Sequence, residues 1–205
     1  MKINIKGIID NKQIQFFKNY GVDSFTFDNR PTSFNFIQLK NMQEMMECDQ
    51  ADYRILFDRP SHIMLKETMS KLSTNSVELL SNVDDEKIIS GYDFSAYYSD
   101  QNLLSYYRKI ESLKKIIIPE QAALLLLNEN NLFNLISRLK SEFNQLEIEL
   151  LLNWSSQIDF SLLEEMNIDL ISFELNQDIQ QSYRMLDYDK VEKYMEEMKK
   201  LGITE

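Results

Sequence analysis

Lys6, Asp28, Asp58 and Glu174 are the side chains best placed to do chemistry, because each falls at the C-terminal end of a predicted strand. Lys6 could carry protons or form a Schiff base only if burial lowered its pKa. In the other reading it pairs with Asp28 or Asp58 as a structural ion pair, and the carboxylates raise its pKa. The three carboxylates are also hard oxygen ligands of the kind that suit Mg2+, but no D-x-D or H-x-E spacing supports such a site. Strand-terminal aspartates are equally ordinary helix caps, as Asp58 ahead of Arg59-Pro60-Ser61 illustrates. Ser81 and Asn153 fall at two further strand ends, and Arg30 and Arg59 stand in the adjoining loops. Trp154 and Phe173 would form either a shelf for a planar ligand or an aromatic filling.

Composition removes other chemistries. The only histidine, His62, reads as a solvent-facing or capping residue at a helix start, so a Ser-His-Asp or His-rich metal site is excluded. The one cysteine, Cys48, forbids an internal disulfide and is expected on the inner face of its helix. A formal charge of -11 repels phosphate backbones and anionic lipid. Nucleic acid and membrane are therefore not expected partners. No apolar run approaches the length of a membrane span and no leader pattern opens the chain, so a cytoplasmic location is expected. A length of 205 residues suits one domain with a substantial core.

The elements that must position these side chains alternate. Short β-branched or aromatic runs precede amphipathic segments, the pattern of parallel βα units. Strands are predicted at 2–8, 24–28, 53–58, 77–80, 94–98, 149–152 and 169–173. Strand six is open between Lys115–Ile118 and Leu124–Leu127, since periodicity does not separate a short buried strand from a helical turn. Helices are expected from Asp10 to Gly21, Phe36 to Cys48, Ile63 to Leu72, Asp85 to Ser90, Asn102 to Leu113, Asn131 to Phe143, Phe160 to Met166 and Tyr188 to Leu201. The helix from Asn102 would be capped by Asp100. Eight such units in 205 residues describe an α/β protein, a single eight-stranded parallel (β/α)8 TIM barrel spanning residues 1–205.

Several stretches carry a resemblance. The opening Lys2-Ile3-Asn4-Ile5-Lys6-Gly7-Ile8 resembles the K-I-C-G-I of phosphoribosylanthranilate isomerase, the barrel family of tryptophan biosynthesis. Tyr20-Gly21-Val22-Asp23-Ser24-Phe25 is similar to its G-A-D-A-(L/I)-G-F, and Arg30-Pro31-Thr32-Ser33-Phe34-Asn35 to its Y-P-K-S-P-R. Leu186-Asp187-Tyr188-Asp189-Lys190-Val191, followed by Lys193-Tyr194-Met195, echoes its K-D-x-x-K-I-x-x-F-(I/M).

The resemblance implies functional positions, and the sequence departs at each. The family's base cysteine falls at Lys6. Its acid, an aspartate ending strand six, falls at Asn128 or near Pro119, depending on which run is the strand. Its substrate arginine falls at Asn35. Its phosphate-binding glycines after strands seven and eight fall at Asn153-Trp154 and at Ser172-Phe173-Glu174-Leu175. Backbone N–H groups cradle an anion only where no side chain intervenes, so Trp154 and Phe173 would fill the cradle and Glu174 would repel the ligand. The expectation is an isomerase-like barrel without the ancestral Amadori rearrangement and without a cofactor. It would bind a small molecule or a protein partner, as a monomer or homodimer. The alternatives are a diverged, active isomerase and a barrel enzyme with different chemistry on Lys6 and the strand-end carboxylates.

Overall fold

Polar and apolar side chains alternate along most of the strands, and that alternation decides which face each residue takes. The computed structural model describes residues 2–80, 91–99, 105, 107–110, 112–128, 131–156 and 158–200. Eight strands, β1 (Lys2–Lys6), β2 (Ser24–Asp28), β3 (Asp52–Phe57), β4 (Ser76–Leu79), β5 (Asp93–Tyr97), β6 (Leu113–Pro119), β7 (Glu147–Leu152) and β8 (Leu170–Glu174), pair in parallel in sequence order. The barrel closes where β1 lies beside β8, with Lys2 opposite Leu170 and Lys6 opposite Glu174. The architecture is a (β/α)8 barrel.

Successive side chains of a strand point to opposite faces. Ile3 and Ile5, Phe25 and Phe27, and Ile148 and Leu150 turn outward into the buried cluster beneath the helices. Each such side chain, when fully buried, contributes about 1.5–3 kcal/mol. The intervening residues turn into the lumen. There Asn4, Lys6, Thr26, Arg54, Glu78, Lys115, Glu149 and Ser172 are all buried. Barrel interiors are ordinarily filled by bulky branched side chains, so this lumen is unusually polar.

The helices lie close to their expected places. The helix Asn11–Lys18 is capped by Asp10, whose carboxylate accepts the Gln13 N–H at 2.8 Å. Further helices span Leu39–Cys48, His62–Met69, Glu120–Asn128, Leu132–Glu142, Phe160–Glu165 and Tyr188–Lys200. After β8 a 3-10 turn and a small antiparallel pair, β9 (Gln180–Ser182) with β10 (Met185–Leu186), precede the last helix.

One open choice is decided and three expectations need correction. Strand six is the Lys115–Ile118 run, whereas Leu124–Leu127 belongs to the helix Glu120–Asn128. Ala and Leu are strong helix formers, and the slot between β5 and β7 is filled by the isoleucines of β6. Asn128 consequently ends a helix rather than a strand and is exposed. Asp58 is not the cap of the helix His62–Met69; Ser61 is, accepting the Met64 N–H at 3.2 Å. Cys48 is exposed. At roughly 100° per residue it lies about 60° from Met45 and well around the helix from Met42 and Met46, at the edge of the face these three turn to the core. Ser81, Asp85 to Ser90, Asp100 and part of the helix expected from Asn102 lie outside the described residues.

Gly7 follows β1 with φ 82°, where a Cβ is strained, and an added Cβ would collide with the Asn35 side-chain amide. Gly7→Ala is expected to lower stability by about 1–3 kcal/mol, measured by urea denaturation.

Candidate functional site

The lumen is built from charges that meet across the barrel axis. Lys6 on β1 places Nζ 2.7 Å from Glu78 Oε2 on β4 and 2.8 Å from Glu149 Oε1 on β7. Neither strand neighbours β1, so these contacts run through the interior. Arg54 on β3 reaches Glu149 Oε2 at 2.7 Å and Glu78 Oε1 at 3.5 Å. Thr26 donates its hydroxyl to Glu78 Oε1 at 3.0 Å, and Asn4 donates its amide to Thr26. Both glutamate side chains are fully buried. Charges taken out of water at this depth persist only when paired and hydrogen-bonded.

The pairing sets the protonation states. Burial alone would push Lys6 down, but Glu149 and Glu78 outweigh it and hold the ammonium well above the usual lysine range. Lys6 is therefore a fixed cation, unavailable as a proton acceptor or imine-forming amine. Its partners are Glu78 and Glu149, not the expected Asp28 or Asp58. Burial would raise Glu149, yet Lys6, Arg54 and Lys115 hold it well below the usual carboxylate range. Tyr97 on β5 has Lys6 Nζ 5.3 Å from its ring centroid. Burial pushes its phenol up, with Lys6 pulling the other way.

At the mouth, Asp28 is consumed by its own loop. Its carboxylate accepts the Arg30 backbone N–H at 3.0 Å, the Arg30 Nε–H at 2.8 Å, and further hydrogen bonds from Arg30 Nη2 and the Ser33 hydroxyl. Arg30 Nη2 also lies 3.6 Å from Glu174 Oε1. Burial raises the Glu174 pKa, Arg30 opposes that shift, and the charge of Asp28 adds to it. Asp58 is exposed, as is Arg59 with φ 46°. Asp28, Asp58 and Glu174 do not form a cation site, and among the described residues no three metal-ligating side chains converge.

Asn35 is buried and donates its amide to the Leu175 carbonyl, which ties the loop after β2 to the loop after β8. Asn153 is exposed, and its N–H donates to Glu120 Oε2 at 2.7 Å. The Leu175 N–H donates to the Lys6 carbonyl at 2.9 Å. The Asn153 and Leu175 N–H groups, which follow β7 and β8, are thus spent inside the protein. Trp154 is buried in an aromatic group, its ring centroid 4.9 Å from Phe173, 5.9 Å from Tyr194 and 6.3 Å from Phe17. Its indole N–H donates to the Glu174 carbonyl at 2.8 Å. Of the two expectations for Trp154 and Phe173, the filling is what forms.

No family model and no curated protein matches this sequence. Solved structures do match it along nearly their whole length. Phosphoribosylanthranilate isomerase from Thermotoga maritima, in a structure of monomers generated from the dimeric protein, shares 14% identity. The match covers 98% of this chain and 99% of that one, with a TM-score of 0.68. The Thermus thermophilus enzyme shares 10% identity over 98% of this chain and 100% of its own, also with a TM-score of 0.68. The chain has the fold of phosphoribosylanthranilate isomerase. Orotidine 5'-monophosphate decarboxylase from Metallosphaera sedula matches too, at 14% identity over 96% of this chain and 99% of that one, with a TM-score of 0.58.

Within this isomerase-like barrel the candidate positions separate. Lys6, Asp28, Arg30 and Glu174 gather at the mouth, Asn35 braces it, Trp154 and Phe173 lie beneath the helices, and Asn128 and Asp58 stand apart. Sequence reasoning missed Glu78, Glu149 and Arg54, the partners that define Lys6. A signal for them exists: each is a charge flanked by apolar residues in a strand, as in Val77-Glu78-Leu79, Ile148-Glu149-Leu150 and Tyr53-Arg54-Ile55. It also missed Glu120, a buried carboxylate immediately after β6.

Proposed function

We propose that this chain is an isomerase-like barrel that no longer performs the Amadori rearrangement and serves instead as a non-catalytic binding or assembly protein. The observation that carries this reading is the pairing of Lys6. The rearrangement needs a proton acceptor where Lys6 stands, and a cation clamped by two buried carboxylates does not accept a proton. The spent N–H groups of Asn153 and Leu175 support the same reading, because a substrate phosphate would find neither of them free. The clamp also weighs against new chemistry on Lys6.

A second reading, a diverged and active isomerase, is favoured by one observation. Glu120 supplies a buried carboxylate at the end of strand six, where the resemblance calls for an acid. Complementation separates the two. An isomerase-deficient tryptophan auxotroph expressing this chain is expected not to grow without tryptophan. Growth that disappears with Glu120→Gln would establish the second reading.

A further inference from the structure

The opposite end of the barrel holds an opening that the mouth does not use. Asp52, Ser76, Asp93 and Glu147 begin β3, β4, β5 and β7, and together with Arg54, Lys114 and Lys115 they line a cavity of ≈ 250 Å3. Pockets for drug-sized ligands run about 300–1,000 Å3, so this space suits a small polar molecule.

Lys115 stands on its inner wall, 4% exposed, with Nζ 3.2 Å from Glu147 Oε2 and 3.6 Å from Glu149 Oε2. It is placed quite differently from Lys6. Glu149 already serves Lys6 and Arg54, so Lys115 is the third cation on one buried carboxylate. Burial, followed by the charge of Arg54, pulls the Lys115 ammonium below the usual lysine range. Glu147 is the nearer carboxylate, and its side chain is 44% exposed at the rim, in contact with both the amine and solvent.

We propose that Lys115 is a carbonyl-capturing amine that takes a small aldehyde from this basal cavity and holds it as an imine. The ammonium first gives a proton to Glu147, and the freed Nζ lone pair forms the C–N bond as the carbonyl π bond opens and its oxygen takes that proton back from Glu147. Glu147 then accepts a second proton from nitrogen and passes it to the carbinolamine hydroxyl, which leaves as water while the nitrogen lone pair closes the protonated C=N bond. No oxidant or reductant is required. The cavity opens where the strands begin, opposite the mouth, and although Lys115 shares Glu149 with Lys6, the proposal does not depend on the reading of the mouth.

The test uses the intact chain with acetaldehyde and cyanoborohydride at neutral pH. The reductant fixes any imine as an N-ethyl amine, and peptide mass mapping follows each lysine at low total labelling. Lys115 is expected to be ethylated about tenfold faster than Lys40, whose side chain is 82% exposed. Ethylation of Lys115 at or below the rate of Lys40 would overturn the proposal.

Discussion

Glu149→Gln is expected to lower the free energy of unfolding by about 3–5 kcal/mol, the cost of breaking a buried ionic group from one side. Glutamine keeps the volume, so the loss is electrostatic rather than a cavity. Glu149 is where three strands meet through their cations: Lys6 at 2.8 Å, Arg54 at 2.7 Å and Lys115 at 3.6 Å. Without it, Lys6 and Arg54 compete for Glu78, and Lys115 keeps only Glu147. By contrast, the exposed pair Lys40–Glu44 at 3.7 Å is screened by water, and Lys40→Met is expected to leave the urea midpoint unchanged. A Glu149→Gln loss below about 1 kcal/mol would show that the lumen charges are solvated in a way the burial contradicts.

The same residue gives the acid limb of stability. The folded Glu149 carboxyl sits below its ordinary 4.5, so the native state binds its proton less readily than the unfolded chain. Its contribution is complete above that ordinary value and is lost as pH falls through it toward the folded one. Wild-type stability should fall with acid across that window, and Glu149→Gln should flatten the fall. Both are read from urea midpoints at successive pH values.

Trp154→Ala is expected to cost about 3–5 kcal/mol by leaving a hole among Phe17, Phe173 and Tyr194 and stranding the Glu174 carbonyl. Calorimetry adds a second readout. If the indole merely covered an intact anion cradle, the variant would gain phosphate binding. No gain is expected, because the Asn153 and Leu175 N–H groups remain bonded to Glu120 and to the Lys6 carbonyl. Phosphate binding by Trp154→Ala would mean that the cradle survives beneath the side chain and would reopen the isomerase reading.

Much of the barrel was legible in the residues. Strand β2 spans the expected 24–28, and the other strand limits lie within two residues of expectation, apart from the undecided strand six. Apolar runs at strand and helix spacing are local properties, and glycine and capping residues punctuate them locally. Strand six was ambiguous for the same reason. Leu124–Leu127 and Ile116–Ile118 are both short, wholly apolar runs, and the vacancy between β5 and β7 decides which becomes the strand.

The chemistry of each lysine was not legible. Sequence alone put Lys6 at the mouth of a barrel, where Asp28 and Asp58 were the obvious partners. Barrel closure instead brought Glu78 and Glu149 to it across the lumen, while Asp28 folded onto Arg30 and Ser33. Lys6 and Lys115 are the same residue type, both buried on the inner wall, yet they are driven in opposite directions. Each pairs with two carboxylates, but Lys6 holds its pair at 2.7 and 2.8 Å whereas Lys115 stands 3.2 and 3.6 Å from its own and is pushed down by Arg54, and that closeness decides the difference. It depends on the stagger of strands distant in sequence around a common axis, and Coulomb energies inside a poorly solvated lumen are steep enough to make it decisive.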